Sequence, residues 1–331
     1  MTEQPIILIT GVSGHIGCRV LAEALLVLIP DITVPGAFDA VADGLWAMIH
    51  VASPTFSGFG EVNVSEFCST SWRVTQSVLH FAANTPSVKR VVITSSISAI
   101  IPRFFDTAPH DSQGFYTSQI HHSIFQFEEL QLTIPLQINP QSPSTESSHG
   151  LRRHLKTKHM FCRRSSSRIA SANISSQPNP KRPPGTTVGP NELASTPKEL
   201  LVGSNMVVMG PLLGINFAPV PSVVSHVEDV AFAHLKALDL DLSPGEISSF
   251  LPVFNSKADP TPFEWDDAEN IVREEFPEAT NNGTFPFGGT VPVTQVLADS
   301  TEEEKMLGRK FKGYREAVMD VVRQYLKLAA K

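Results

Sequence analysis

The sequence predicts an α/β fold: a doubly wound, mostly parallel sheet with helices on both faces. Three observations predict it. The chain opens on an apolar run, Ile6 to Ile9, followed at once by glycines at 11, 14 and 17. Short β-branched runs then alternate with stretches of helical apolar spacing as far as Thr94, the order that builds parallel sheets. The 331 residues are 41% hydrophobic and 18% charged, the composition of a chain that buries a substantial core.

Ile6 to Ile9 reads as a buried strand and Ile16 to Leu26 as a helix opening on the glycine turn. Val27 to Ile29 is a second apolar run that ends at Pro30-Asp31, and Phe38 to Ala42 supplies a short helix. Trp46 to Val51 is a strand closing on Ala52-Ser53-Pro54. Ser69 to Ala83 carries helical spacing at Trp72, Val78, Leu79 and Ala82, and Arg90 to Thr94 is a strand ending in Ser95-Ser96. Order resumes near Val188-Gly189-Pro190. His226 to Leu238 and Asp266 to Glu275 read as helices. Glu302 to Leu328 reads as one long amphipathic helix, with Phe311, Tyr314, Val318, Val322, Tyr325 and Leu328 on one side.

Between these halves the periodicity fails. From about Phe104 to Pro184 neither a 3.6 nor a 2 period is sustained, and Ser147 to Pro190 holds nine Lys/Arg and no Asp/Glu. Such a stretch buries too little apolar surface to offset its ordering entropy, so irregular or disordered chain is expected there. His121, His122, His154, His159 and Cys162 fall in this stretch, but their spacing matches no closed zinc pattern, and no metal is expected. The basic run Arg152 to Arg168 lacks interleaved aromatics apart from Phe161, and a formal net charge of -7 argues against a general nucleic-acid binder. Three scattered cysteines suit a reducing, cytoplasmic compartment. No apolar run reaches the ~18 residues of a membrane span. A strand within five residues of the start, with no basic region before it, leaves no expected secretory signal.

The chemistry concentrates where strands end. Glycines at 11, 14 and 17 permit a tight turn, close backbone approach and close helix packing, so that helix-start N–H groups face an anion. A nucleophile elbow would need glycine at 15, where histidine stands. Ser13 therefore reads as a phosphate neighbour and His15 as a surface or packing residue. Asp31, twenty residues after Gly11, has the spacing of a ribose-binding carboxylate. It is equally a turn acid before Pro35-Gly36, and spacing does not decide. Ser95 and Ser96 end a strand on the side where open α/β sheets bind ligands. A serine there can hydrogen-bond a substrate carbonyl or simply close the strand.

Several segments together resemble the extended short-chain dehydrogenase/reductase (NAD-dependent epimerase/dehydratase) family, in its dihydroflavonol-reductase and ketone/aldehyde-reductase branch. They are Thr10-Gly11-x-x-Gly14-x-x-Gly17, Asp31-Ile32-Thr33 with Pro35 to Phe38, His50 to Pro54 and Pro86 to Ser96. Gly189-Pro190-Asn191, His226 to Ala231 with His234, and Asp299-Ser300 leading to Leu307-Gly308 complete them. The resemblance implies a Rossmann core over 1–103, an irregular segment 104–187 in place of the catalytic helix region, and the rest of the core with a C-terminal α/β substrate region over 188–331. It implies NADP or NAD, with NADP favoured, a small carbonyl or alcohol substrate, no nucleic acid or membrane partner, and a monomer or homodimer. Cofactor contacts map to Thr10, Gly11, Ser13, Gly14, His15, Ile16 and Gly17, to Asp31 and Ile32 near the adenine, and to Val51, Ala52 and Ser53. The carbonyl-polarising serine maps to Ser96, with Ser95 next.

Two departures stand out. Only thirteen residues separate Gly17 from Asp31, so the family's usual second strand-helix unit is lacking. The family's catalytic Tyr-x-x-x-Lys is also absent. Tyr116, Tyr314 and Tyr325 are followed at the fourth position by Ile120, Val318 and Ala329. The resemblance therefore predicts an oxidoreductase acting on CH-OH groups. Its alternative is a non-catalytic nucleotide-binding relative or a defective gene product, in which 104–187 reflects a shifted reading frame or retained intron.

Overall fold

The computed structural model describes residues 6–21, 29, 31–34, 36–54, 64–95, 186–241, 248, 250–254, 263–296 and 298–331. The expected irregular segment (up to residue 185), with its histidines and basic run, lies outside the described residues, as do Ser96 and Tyr116.

Strand β1 (Ile6–Thr10) runs into the glycine turn and helix α1 (His15–Val20). The helix expected to run to Leu26 leaves helical geometry at its C-cap Leu21 (φ -81°, ψ 86°); residues 22–26, and 27–28 of the following apolar run, lie outside the described residues. A 3₁₀ turn (Asp39–Val41) stands where a short helix was expected, and strand β2 (Leu45–His50) follows. Helix α2 (Val64–Asn84) and strand β3 (Arg90–Ile93) complete the first unit. The sheet order is β1-β2-β3, all parallel. Its middle strand is almost wholly apolar and buried, as a strand covered on both faces must be. Leu45 and Met48 meet Val78, Phe81 and Ala82 of α2, together with Phe38. Ala47 and Ile49 meet Val20 of α1 and Ala231 on the opposite face. The large fully buried side chains among these, Leu45, Met48, Ile49, Val20, Val78 and Phe38, each contribute about 1.5–3 kcal/mol.

The second unit begins at strand β4 (Thr186–Val188), two residues earlier than the periodicity suggests, because Thr186 and Thr187 pair with Val224 and Ser225. Two short helices missed by the sequence reading follow, α3 (Pro197–Leu200) and α4 (Asn205–Met209). At four and five residues they are too short for a 3.6 period to emerge. Thr196 caps α3 in a reciprocal box: its Oγ1 accepts from Glu199 N at 3.3 Å and Glu199 Oε2 accepts from Thr196 N at 3.3 Å. Thr196→Ala is expected to lower stability by about 1 kcal/mol in urea titration; an unchanged midpoint would show the box to be idle.

Strands β5 (Val220–Pro221) and β6 (Val224–His226) lead into helix α5 (Val227–Lys236), whose N-cap is His226. β6 pairs with β4, and β5 with β7 (Val293–Thr294). Helices α6 (Asp267–Glu275) and α7 (Pro277–Asn281) precede β7. The core of this unit centres on Trp265, fully buried and edge-on to Phe263 and Tyr314 at 5.2 and 5.5 Å.

The long C-terminal helix expected over Glu302 to Leu328 is two helices. α8 (Thr301–Leu307) ends at Gly308, which is left-handed at φ 70°, and α9 (Tyr314–Ala329) starts after Gly313. Glycine takes that conformation without Cβ strain and stops the helix. The intervening turn carries Arg309 and Lys312 to Asp229 and Glu228. Phe311 packs with Ala233 and Leu307, away from the α9 face. No described helix is long and apolar enough to cross a membrane.

Candidate functional site

The carboxyl ends of β1, β2 and β3 bring the sequence-predicted residues to one edge of the sheet. Gly11 has φ +80°, and a Cβ there would stand 2.5 Å from Ala52 N. A Cβ on Gly17 would stand 2.1 Å from Gly11 O. These two glycines are required by backbone contact alone. Gly14 differs: a Cβ there would meet only Gly11 O, at 3.3 Å, so its outer side is open. Gly14 is the N-cap of α1, which has no side-chain cap and no acid in its first turn. The first amides of α1 therefore lack an acceptor from the cap, the arrangement that receives an anion.

Thr10 is spent on structure. Its Oγ1 lies 2.7 Å from His50 Nδ1 in a buried pair and accepts from Ala52 N at 3.4 Å. Val51 N donates to Thr10 O at 3.2 Å, so 51–52 follow β1 into the turn. Ser53 Oγ donates to Pro54 O at 3.3 Å. Ser13 is exposed in the turn, and Ile16 packs on the Val20–Ala47–Ile49 cluster. His15 is a packing residue: its Nε2 lies 2.9 Å from Pro190 O, and burial pushes its pKa below the ordinary value.

Asp31 makes its contacts within its own turn. Its Oδ1 accepts from Thr33 N at 2.8 Å and from Thr33 Oγ1 at 2.6 Å. Those bonds, the hydroxyl first, hold its carboxyl below the usual range, with Arg73 adding a smaller pull. Ile32 packs against the Phe38–Met48 cluster. Ser95 is exposed just beyond β3, and the neighbouring Thr94 Oγ1 lies 2.6 Å from His234 Nε2. His234 Nδ1 is bonded to Val230 O at 2.7 Å, and burial lowers its pKa. Tyr314 is far from exposed chemistry: it is buried, its hydroxyl donates to Trp265 O at 2.7 Å, and burial raises its pKa well above 10. Tyr325 packs beside Phe285, ring centroids 5.8 Å apart.

Sequence reasoning missed the charged side chains that join this edge to the C-terminal unit. Arg19 of α1 pairs with both Glu192 and Glu228. Lys312 Nζ lies 2.8 Å from Glu228 and 3.0 Å from Asp320, while Arg309 reaches Asp229 at 2.7 Å. His226 is buried, accepts from Glu228 N at Nδ1 and presents Nε2 to Asp320 at 3.4 Å. Burial first, then Lys312, lowers its pKa to about 4. Lys312 and Asp320 apart, these ion-pair partners lie 80 to 209 residues from one another and leave no local signal. No cluster of metal-ligating side chains occurs among the described residues.

No family model matches the chain. An "NAD-dependent epimerase/dehydratase ALT6" of Alternaria alternata is 28% identical over 371 aligned positions, covering 99% of each chain. That alignment is longer than the 331-residue chain, so the relative carries residues this chain lacks. "Ketoreductase CTB6" of Cercospora nicotianae is 27% identical over 98% of this chain and 96% of its own length. Among solved structures, the yeast methylglyoxal/isovaleraldehyde reductase Gre2 complexed with NADPH aligns with a TM-score of 0.55 at 18% identity, covering 98% and 99%. Gre2 of Candida albicans, in complex with NADPH, gives 0.55 at 18% identity over 97% and 98%. The likeness establishes the fold as a Rossmann-type doubly wound α/β, as the sequence predicts.

Proposed function

We propose that this chain is a member of the extended short-chain dehydrogenase/reductase, or NAD-dependent epimerase/dehydratase, family, and an NAD(P)-dependent oxidoreductase of the ketone/aldehyde-reductase type. The observation that carries the reading is the glycine turn. Gly11 and Gly17 close it by backbone contact, and Gly14 leaves its outer side open at an uncapped helix start. A pyrophosphate fits that cradle, held by the first amides of α1 with Ser13 beside it. Val51, Ala52 and Ser53 line the route from the turn along the ends of β1 and β2. Asp31 and Ile32 take the adenine side, a place consistent with an Asp31 carboxylate already committed to Thr33. NADPH is favoured over NADH because the Gre2 structures of like fold hold NADPH.

The cofactor supplies a hydride from nicotinamide C4 to a carbonyl carbon. On this chain Ser96 polarises the carbonyl oxygen, with Ser95 adjacent. The proton is the weak point. Tyr314 has its hydroxyl committed to Trp265 O in the core, and no tyrosine in the chain is followed by lysine at the fourth position. A missing general acid costs roughly 10²–10⁴-fold in rate. That observation favours a second reading, a nucleotide-binding relative with little or no turnover.

Fluorescence titration of the purified chain with NADPH is expected to give saturable quenching or a spectral shift, and its absence would overturn the binding half. Steady NADPH-dependent reduction of an aromatic aldehyde or β-keto ester, lost in Ser96→Ala, would establish the reductase and rule out the second reading. Binding without turnover would establish the second.

A further inference from the structure

The loop that follows β4 is held from three sides. Gly189 N donates to Asn205 Oδ1 at 3.0 Å and Gly189 O accepts from Asn205 Nδ2 at 2.9 Å. Asn191 N donates to Gln324 Oε1 at 2.8 Å, and Asn191 O accepts from Gln324 Nε2 at 2.7 Å. Between them, Pro190 O meets His15 Nε2 at 2.9 Å. Glu192 then pairs with Arg19, which also grips Glu228 at the start of α5. Thus α4 and α9 immobilise the loop, and the loop presents one carbonyl and one carboxylate to α1. Asn205 is 1% exposed, so its two bonds to Gly189 are costly to leave unmade.

We propose that His15 is a positioning residue for the dinucleotide: its bond to Pro190 O fixes the first turn of α1, and so the aim of the glycine-turn amides, against the rigid loop 189–192. The inference rests on the cofactor reading above. His15 is the first residue of α1, one position after the N-cap, so a rotation of its ring or its backbone moves the amides themselves. The neutral imidazole carries the Nε2 proton that Pro190 O accepts. Arg19, one turn further on, sets the same helix against Glu192 and Glu228, so the two contacts fix both its tilt and its rotation. Neither side chain needs to touch the ligand. Their part is to hold donors where the pyrophosphate will be, which is preorganisation.

The test compares His15→Leu with His15→Gln by NADPH titration at a temperature where each variant is folded by circular dichroism. Glutamine keeps an N–H near the place of Nε2; leucine keeps bulk and loses the donor. His15→Leu is expected to raise the Kd for NADPH about tenfold, the size of effect one buried hydrogen bond supports, and His15→Gln to stay near the parent value. Arg19→Gln, on the more exposed side of the helix, serves where leucine at 15 prevents folding and is expected to weaken binding in the same direction. A merely structural role predicts lower melting temperatures with parental Kd. Parental affinity in His15→Leu or, if that fails to fold, in Arg19→Gln would overturn the inference, as would equal loss in His15→Gln and His15→Leu. A parent chain that does not bind NADPH at all would instead sink the cofactor reading, and this inference with it.

Discussion

Gly17→Ala is expected to abolish NADPH binding and to destabilise the chain more than an ordinary glycine substitution. The added Cβ would lie 2.1 Å from Gly11 O and 2.6 Å from Gly11 C. Both are backbone atoms of a turn already fixed by Gly14 N donating to Gly11 O at 3.0 Å, so neither can swing aside. Relief requires α1 to lift from β1, which opens the Val20–Ala47–Ile49 contact and tilts the amides proposed to grip the pyrophosphate. Overpacking of this kind costs typically 1–3 kcal/mol and occasionally more. The control is Gly203→Ala. Gly203 has φ +82° but nothing within 4 Å of its would-be Cβ, so it carries only the left-handed penalty of roughly 1–2 kcal/mol. NADPH fluorescence and urea midpoints on both variants decide the matter. A Gly17→Ala chain that binds like its parent would mean that the turn is not shaped as described.

Acid is expected to destabilise the protein before the paired carboxylates Glu228 and Asp320 protonate. His15, His226 and His234 all have pKa values lowered chiefly by burial, His226 to about 4 from an ordinary 6.5. The unfolded chain therefore takes up protons between pH 6.5 and about 4 that the folded chain refuses. More protons bound in the unfolded state means that stability rises with pH through this window and falls on acidification. His226 alone accounts for about 3 kcal/mol at the bottom of the window, at 1.36 kcal/mol per unit. Glu228 and Asp320 are held below their ordinary 4.5 and 3.8, so their contribution is lost only at lower pH. Asp229, raised by burial, works in the opposite sense near its own range. Urea midpoints measured across the histidine window should fall steadily with pH. His226→Asn keeps an acceptor for Glu228 N at the helix cap but cannot titrate, so it should flatten the slope. A parent whose midpoint is level from pH 6.5 to about 4 would refute the assignment.

Much of the first unit was legible because its signals are local. A buried middle strand must be apolar on both faces, and Leu45 to His50 is. A strand that turns sharply into a helix needs glycine where Cβ atoms would collide, and residues 11 and 17 supply it. The boundary error in the C-terminal helix had a non-local origin. Gly308 sits in a sequence whose apolar period continues past it, so pattern alone could not see the helix stop. The left-handed turn is fixed by the partners beyond it: Asp229 takes Arg309, and Glu228 takes Lys312. His15 illustrates the same division. Its position in the glycine turn was plain, but whether its ring faced water or protein depended on Pro190, 175 residues away.

The amino-acid order by itself determined the strand-turn-helix opening, the alternation that makes a parallel sheet, and the want of a tyrosine-lysine pair. Each depends on neighbours a few residues apart, where backbone sterics and hydrophobic period act directly. The tertiary structure alone decided that Thr10 serves His50, that Tyr314 is locked to Trp265, and that α1 is braced on the loop after β4. Those outcomes follow from which buried donor meets which acceptor once distant segments pack, and a hydrogen bond across the chain leaves no period in the sequence to read.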